Sequence, residues 1–339
     1  MDGELPLPPH ADLERVGEVW RVDYESRFRE ATVWASEHAL EPAARDGMRV
    51  CLLLVDVQNT FCTPGFELFV AGSSGTGALD DNRRLCELIY RNLGAITQTV
   101  VTMDTHQAFQ IFHAPFLVDG GGRHPDPYTL VTPEDVSSGR WQVDSHAAEA
   151  LGIGAQAVAE HLRAYVETLA AGGKYDLTIW PFHALLGGIG HALVSAVEEA
   201  VFFHAIARHS QTRFELKGRN PLTEHYSALG PEVSRGARGE VLEERNSELI
   251  ELLLEFDAVI VAGQAKSHCV AWTVEDLLDD APEIAPRLYL LEDCSSPVVV
   301  PGAVDYTGDA DAAFARFAEA GVHIVRSTEP LATWPGPLA

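Results

Sequence analysis

Short runs of apolar, β-favouring residues recur along this chain, and most neighbouring runs are separated by a stretch of helical composition. Cys51-Leu52-Leu53-Leu54-Val55 opens the series and Thr99-Val100-Val101-Thr102-Met103 follows, with further runs at 177–180, 213–216, 258–262, 288–291 and 322–325. Residues 80–95, 189–209, 242–255, 267–279 and 309–320 read as helices. A strand with one face in water alternates polar and apolar residues, whereas a continuous apolar run is covered on both faces. The pattern therefore predicts an α/β fold: a three-layer α/β/α arrangement around a doubly wound, mostly parallel sheet.

Other segments lie outside that rhythm. Residues 1–46 show no strand pattern, and 24–44 are charged and alanine-rich like a surface helix, so they read as an N-terminal extension to a domain spanning 47–330. Residues 118–139 are rich in Gly, Pro and Asp and 144–171 look helical. Together 118–176 reads as an insertion, a lid or an oligomer contact. Residues 331–339 form a tail.

Composition removes several classes of function. A net charge of −26 is the wrong sign for a nucleic-acid backbone or an anionic membrane surface. No basic start leads into an apolar core, and no run nears the roughly 18 apolar residues of a membrane span, so the expected location is cytoplasmic. The 5 cysteines are odd in number and include no close-spaced pair, which points to free thiols rather than a disulfide framework. The glycine clusters at 120–122 and 187–188 lack phosphate-loop spacing.

In an open parallel sheet, ligands bind beyond the carboxyl ends of the strands, so polar residues just past the apolar runs share one rim. Asp56 follows the first run, Asp104 and His106 the second, and Lys217 the run at 213–216. Cys269 lies beyond 258–262, where the pattern predicts a helix start and where backbone N–H groups and the helix dipole favour a thiolate. Singly, each has an ordinary structural reading: a turn-capping aspartate, a solvated lysine, a surface Asp-x-His pair, a packed cysteine. Jointly they bring a carboxylate, an ammonium, a thiol and a metal-compatible pair to one edge, which points to chemistry.

Five segments in order carry a resemblance. They are Leu54-Val55-Asp56-Val57-Gln58-Asn59-Thr60-Phe61, Thr102-Met103-Asp104-Thr105-His106, Trp180-Pro181-Phe182-His183, Lys217-Gly218, and Gly263-Gln264-Ala265-Lys266-Ser267-His268-Cys269-Val270. Over about residues 48–326 the sequence resembles the isochorismatase-like cysteine hydrolases, and within them the nicotinamidase branch. The resemblance implies a catalytic triad of Asp56, Lys217 and Cys269, and a cis peptide at Gln264–Ala265 with the amides of Ala265 and Cys269 facing an oxyanion. It also implies a divalent ion (zinc, manganese or iron) on Asp104, His106 and His183, and a pocket in which Phe61, Trp180 and Gln264 meet the substrate.

The implied activity is hydrolysis of a small aromatic carboxamide to acid and ammonia through a thioester, by a homo-oligomer. Two alternatives stand beside it: a metal-free hydrolase of a vinyl ether, carbamate or ureide, and a non-catalytic binding protein. The sequence departs from the pattern at Gln110, where many members carry a further histidine, with His113 nearby but out of register. It departs again at Thr60, acidic in many relatives, and at Ala184, often a cysteine.

Overall fold

The computed structural model describes residues 4–172 and 175–338. Its centre is a six-stranded sheet of β1 (Val50–Val55), β2 (Gln98–Asp104), β3 (Arg213–Lys217), β4 (Ala258–Gly263), β5 (Leu288–Leu291) and β6 (His323–Val325), ordered β6-β5-β4-β1-β2-β3. Every neighbouring pair in this sheet is parallel. The main helices are α1 (Tyr24–Glu37), α2 (Gly77–Arg91), α3 (Ala155–Gly172), α4 (Ser195–Ala207), α5 (Ser247–Leu254), α6 (Cys269–Asp280) and α7 (Thr307–Glu319).

The central strands β1 and β4 are buried at every residue, which is why their sequences carry no polar alternation. Edge strand β3 does alternate, with Phe214 and Leu216 about half exposed. From β1 the chain steps to β2 and then to β3; it then crosses back to β4 and continues the other way through β5 to β6. Helix α2 packs on α4 and α6 on α7; by the right-handed rule for parallel crossovers the two pairs belong to opposite faces of the sheet, which gives the three layers. The direction of winding reverses between β1 and β4, so the crevice of this fold opens where those two strands end. Gly263 closes β4 with φ 122°, and a Cβ there would lie 2.0 Å from the Val55 carbonyl oxygen. Only glycine lets the ends of β1 and β4 approach this closely.

The flanking segments are built into the body of the protein. Helix α1 packs on α4, the Trp20 amide donates to Ser195 Oγ at 2.9 Å, and that hydroxyl donates back to the Trp20 carbonyl at 2.9 Å. Helix α3 of the 118–176 segment buries Val158, Leu162, Tyr165, Val166 and Leu169 in the common core. The apolar run at 177–180 forms a strand only over Leu177–Thr178 and pairs antiparallel with Leu130–Val131, outside the six-stranded sheet. Length and composition resemble a sheet strand, but the partner is local. Among the described residues no helix is long and apolar enough to cross a membrane, and all five cysteines are free and buried.

Candidate active site

Asp56, Asp104 and Lys217 lie at the carboxyl ends of three adjacent strands, and register brings them together. Asp104 and Lys217 are paired residues on β2 and β3, and Asp56 is the first residue past β1, in a positive-φ conformation (φ 50°). A side chain other than glycine held there is strain retained by its surroundings, a common property of functional positions. The Lys217 ammonium lies 2.9 Å from Asp56 Oδ2 and 3.0 Å from Asp104 Oδ1. It also donates to the His225 carbonyl at 2.8 Å and points at Cys269 Sγ from 3.5 Å. Thr102 Oγ1 donates to Asp56 Oδ1 at 2.6 Å.

Electrostatics then separates the groups. Burial raises the Asp56 carboxyl pKa, helped by the negative charge of Asp104 and only partly offset by Lys217. Asp104 is equally desolvated, yet His106 and Lys217 hold its pKa well below the usual carboxylate value. Burial works against the Lys217 charge, but Asp104 and Asp56 outweigh it and keep the ammonium protonated.

Cys269 is the first residue of α6, as its sequence context suggests, but the thiolate expected from a helix N-terminus is not its resting state. Its thiol is buried, and desolvation raises its pKa well above the ordinary value despite Lys217. Loss of solvent around the sulfur outweighs the pull of the Lys217 charge. The thiol instead has a hydrogen-bond partner in Asp56. A neutral thiol, a carboxyl group with raised proton affinity and a nearby ammonium can exchange a proton and stabilise the resulting sulfur anion. The Gln264–Ala265 peptide is cis. Among the described residues no backbone carbonyl accepts from the amides of Ala265 or Cys269.

Asp104 also joins a second cluster. Ligand atoms of Asp104, His106 and His183 all lie within 4.8 Å of one another, and all three residues are buried. His106 Nδ1 bonds the Gly218 carbonyl at 3.0 Å and His183 Nδ1 the Pro181 carbonyl at 2.8 Å, so each ring turns Nε2 inward. Carbonyls accept, so both Nδ1 atoms carry a proton; each Nε2 donates to Asp104 when its ring is protonated and offers a lone pair to a metal when it is neutral. His106 Nε2 is 2.7 Å from Asp104 Oδ2 and His183 Nε2 is 3.5 Å from it. A proton on the imidazole accounts for the shorter contact, and in its place one carboxylate with two imidazoles is a donor set that suits a zinc-like ion.

Gly218 permits the arrangement: its φ is 78°, and a Cβ would meet His106 Cε1 at 2.6 Å and Asp104 Oδ1 at 2.9 Å. Gln110 does not face this centre. Its Nε2 donates to the Gly218 carbonyl at 2.8 Å, behind the His106 ring. His113 lies beside the cluster with Nδ1 3.1 Å from the Gln107 carbonyl, outside the ligand set, and its pKa is lowered to about 3 mainly by burial.

A cavity of about 40 Å³ reaches both clusters. Phe61 and Trp180 line it, as the sequence reading expects, along with Asp104, His106, His183, Ala265 and Cys269. Gln264 does not line it, contrary to that reading. Its amide donates to Asp81 Oδ2 at 2.8 Å and accepts from the Ser296 amide at 3.2 Å, so both ends are committed inside the fold. Sequence reasoning missed Glu224, His225, Tyr226 and His268, which also line the cavity. His268 adjoins Cys269 and was findable by position. The other three sit in an irregular stretch past β3, where no periodic pattern marks a side chain as inward.

No protein-family model matches the sequence, and no curated protein matches it. Solved structures do. The yeast nicotinamidase bound to the inhibitor nicotinaldehyde superposes with a TM-score of 0.50 at 17% identity, over 82% of this chain and 99% of that one. A second structure of the yeast nicotinamidase gives 0.50 at 18% identity, over 81% and 99%. An Acinetobacter baumanii nicotinamidase/pyrazinamidase gives 0.49 at 20% identity, over 84% and 99%. At these identities the shared property is architecture: the protein has the fold of the yeast nicotinamidase.

Proposed function

We propose that the protein is a metal-dependent cysteine amidohydrolase that converts a small, ring-bearing carboxamide to its acid and ammonia. The observation that carries this reading is that one cavity is lined by the Cys269 thiol, with Lys217 and Asp56 behind it, and by the carboxylate–imidazole–imidazole set, the two joined through Lys217. Cys269 Sγ attacks the amide carbonyl carbon while Asp56 takes the thiol proton. Lys217, 3.5 Å from the sulfur, stabilises the anion as it forms. The carbonyl oxygen turns toward the amides of Ala265 and Cys269; one such donor typically contributes about a hundredfold or more in rate.

Asp56 then hands its proton to the leaving nitrogen. Ammonia departs and a thioester remains on Cys269. Asp56 next draws a proton from the water that attacks the thioester, which frees the acid and restores the thiol. A divalent ion held by Asp104, His106 and His183 supplies a Lewis-acid contact for a ligand atom such as a ring nitrogen. Phe61 and Trp180 form the walls that take a planar ring between them. The 118–176 segment supports the pocket from behind: Tyr165 accepts from the Glu224 amide at 3.0 Å, and His161 Nε2 lies 2.7 Å from the Leu222 carbonyl.

The test is ammonia release from nicotinamide and a small panel of ring carboxamides by zinc- or manganese-loaded protein, beside Cys269→Ala. Release by the native chain and none by the variant is expected. Silence across the panel from folded, metal-loaded protein would overturn the reading.

A further inference from the structure

One carboxyl group on the cavity wall belongs neither to the Asp56–Lys217–Cys269 set nor to the metal cluster. Glu224 lines the cavity yet is only 6% exposed. Its position is fixed through the backbone: its amide donates to Tyr165 at 3.0 Å, and its carbonyl accepts from the Glu232 amide at 2.8 Å. The side chain then accepts from Trp180 Nε1 at 2.6 Å and has Tyr226 as a second partner. Phe61, Leu68, Val70 and Val298, which also line the cavity, are apolar.

Holding one indole N–H does not account for a carboxyl group here. A carboxylate offers about four acceptor sites, and a neutral carboxyl keeps more than one. Two protein donors leave capacity unused at a site where desolvation is costly, and a ligand donor arriving there recovers part of that cost. The charge balance points the same way. Lys217, the cation behind Cys269, does not line the cavity and is already paired with Asp56 and Asp104. Burial and the neighbouring Glu232 raise the Glu224 carboxyl pKa well above its usual value, and in either protonation state the group keeps an acceptor position for a ligand donor.

Resting on the amidohydrolase reading, we propose that Glu224 is a specificity-determining residue, and that it selects carboxamides whose ring carries a hydrogen-bond donor, an amino group above all, over the unsubstituted ring. Trp180 would then serve both as a ring wall and as the anchor that aims the carboxyl group at the substituent.

The experiment is calorimetric binding of nicotinamide and its ring-amino derivatives to zinc-loaded, full-length Cys269→Ala, alone and combined with Glu224→Gln or Glu224→Leu. At least one amino derivative should bind about tenfold tighter than nicotinamide. That preference should survive in large part in Glu224→Gln, which keeps an acceptor, and vanish in Glu224→Leu. The proposal is overturned if no amino derivative outbinds nicotinamide, or if the preference persists in Glu224→Leu; the first outcome needs no Glu224 variant to fold. Ammonia release by the native enzyme separates the two claims. Release from nicotinamide without an amino preference retains the amidase reading and removes this one. Preferential binding without ammonia release does the reverse.

Discussion

Asp56 and Asp104 stand at the ends of neighbouring parallel strands, each about 3 Å from the same lysine ammonium and each desolvated, yet their proton affinities diverge. Asp56 has Thr102 and Lys217 as partners and a negative neighbour in Asp104, so burial wins and its carboxyl pKa rises. Asp104 adds contacts to two imidazoles, and the cationic surroundings hold its pKa down. A shared lysine therefore does not make two carboxylates equivalent. The groups on the far side of each decide which can accept a proton during a reaction and which stays an anion fit to hold a metal.

The most direct way to break this comparison is to neutralise each carboxylate. Asp56→Asn should lower kcat by about a hundred- to ten-thousandfold, with bound metal unchanged and no recovery on adding more. Asp104→Asn should lose activity through loss of the ion, and millimolar zinc or manganese should restore part of it. Metal titrations beside steady-state rates check both; recovery of Asp56→Asn by metal would reverse the assignment. The same contrast has a pH signature. The base works ionised, so kcat/KM should rise with pH through the Asp56 pKa, placing the acid limb above the ordinary carboxylate range because that pKa is raised. Asp104 should add no limb there, since its carboxylate stays ionised to lower pH.

Removing the shared cation tests the coupling itself. Lys217→Met leaves two buried carboxylates without their common partner and should destabilise the protein by about 3–5 kcal/mol near neutral pH. The two aspartates pull the pH dependence of stability in opposite directions. The lowered pKa of Asp104 contributes stability that is present above its unfolded pKa and lost as pH falls toward the folded one. The raised pKa of Asp56 contributes stability at low pH that is lost as pH climbs through its folded value. In Lys217→Met, where both pKa values rise, the loss should shrink on acidification, and urea melts at several pH values read this directly. A cost independent of pH would show that packing, rather than charge, is what Lys217 supplies.

The sequence announces one side of this site more fully than the other parts of the pocket, for physical reasons. Continuous burial of β1 and β4 erases polar alternation, so the parallel sheet and its rim are legible, and Asp56, Asp104, Lys217 and Cys269 follow from strand ends alone. His183 is reached only through the resemblance, because it lies in a loop with no strand before it except the short ladder at Leu177–Thr178. Glu224 and Tyr226 carry no signal at all: their orientation depends on Tyr165 from a distant helix and on Trp180 from another loop. The resemblance puts Gln264 at the substrate, whereas its side-chain amide is held by Asp81 and the Ser296 backbone, a direction that the motif does not encode. The state of the thiol was likewise invisible, since helix position is written in the sequence and the extent of desolvation is not.

Two milder substitutions sharpen the metal side of the comparison. Gly218→Ala forces a methyl group against His106 and Asp104 in a positive-φ conformation. With the fold retained, it should weaken zinc binding by about 10- to 100-fold, as displaced supporting groups commonly do. Gln110→Ala should do much less. Gln110 Nε2 donates to the Gly218 carbonyl and lies 3.2 Å from His106 Nδ1, and that carbonyl still accepts from His106 Nδ1 after the amide is gone. The loss of one hydrogen bond, about 0.5–1.5 kcal/mol, corresponds to a few-fold weakening of metal affinity. Competition against a chromophoric chelator measures both variants on one scale. A Gln110→Ala effect as large as that of His106→Ala would mean that Gln110 swings round to ligate. The orientation of His106 would then come from the ion rather than from the Gly218 carbonyl, and the metal side would no longer be the preassembled half of the site.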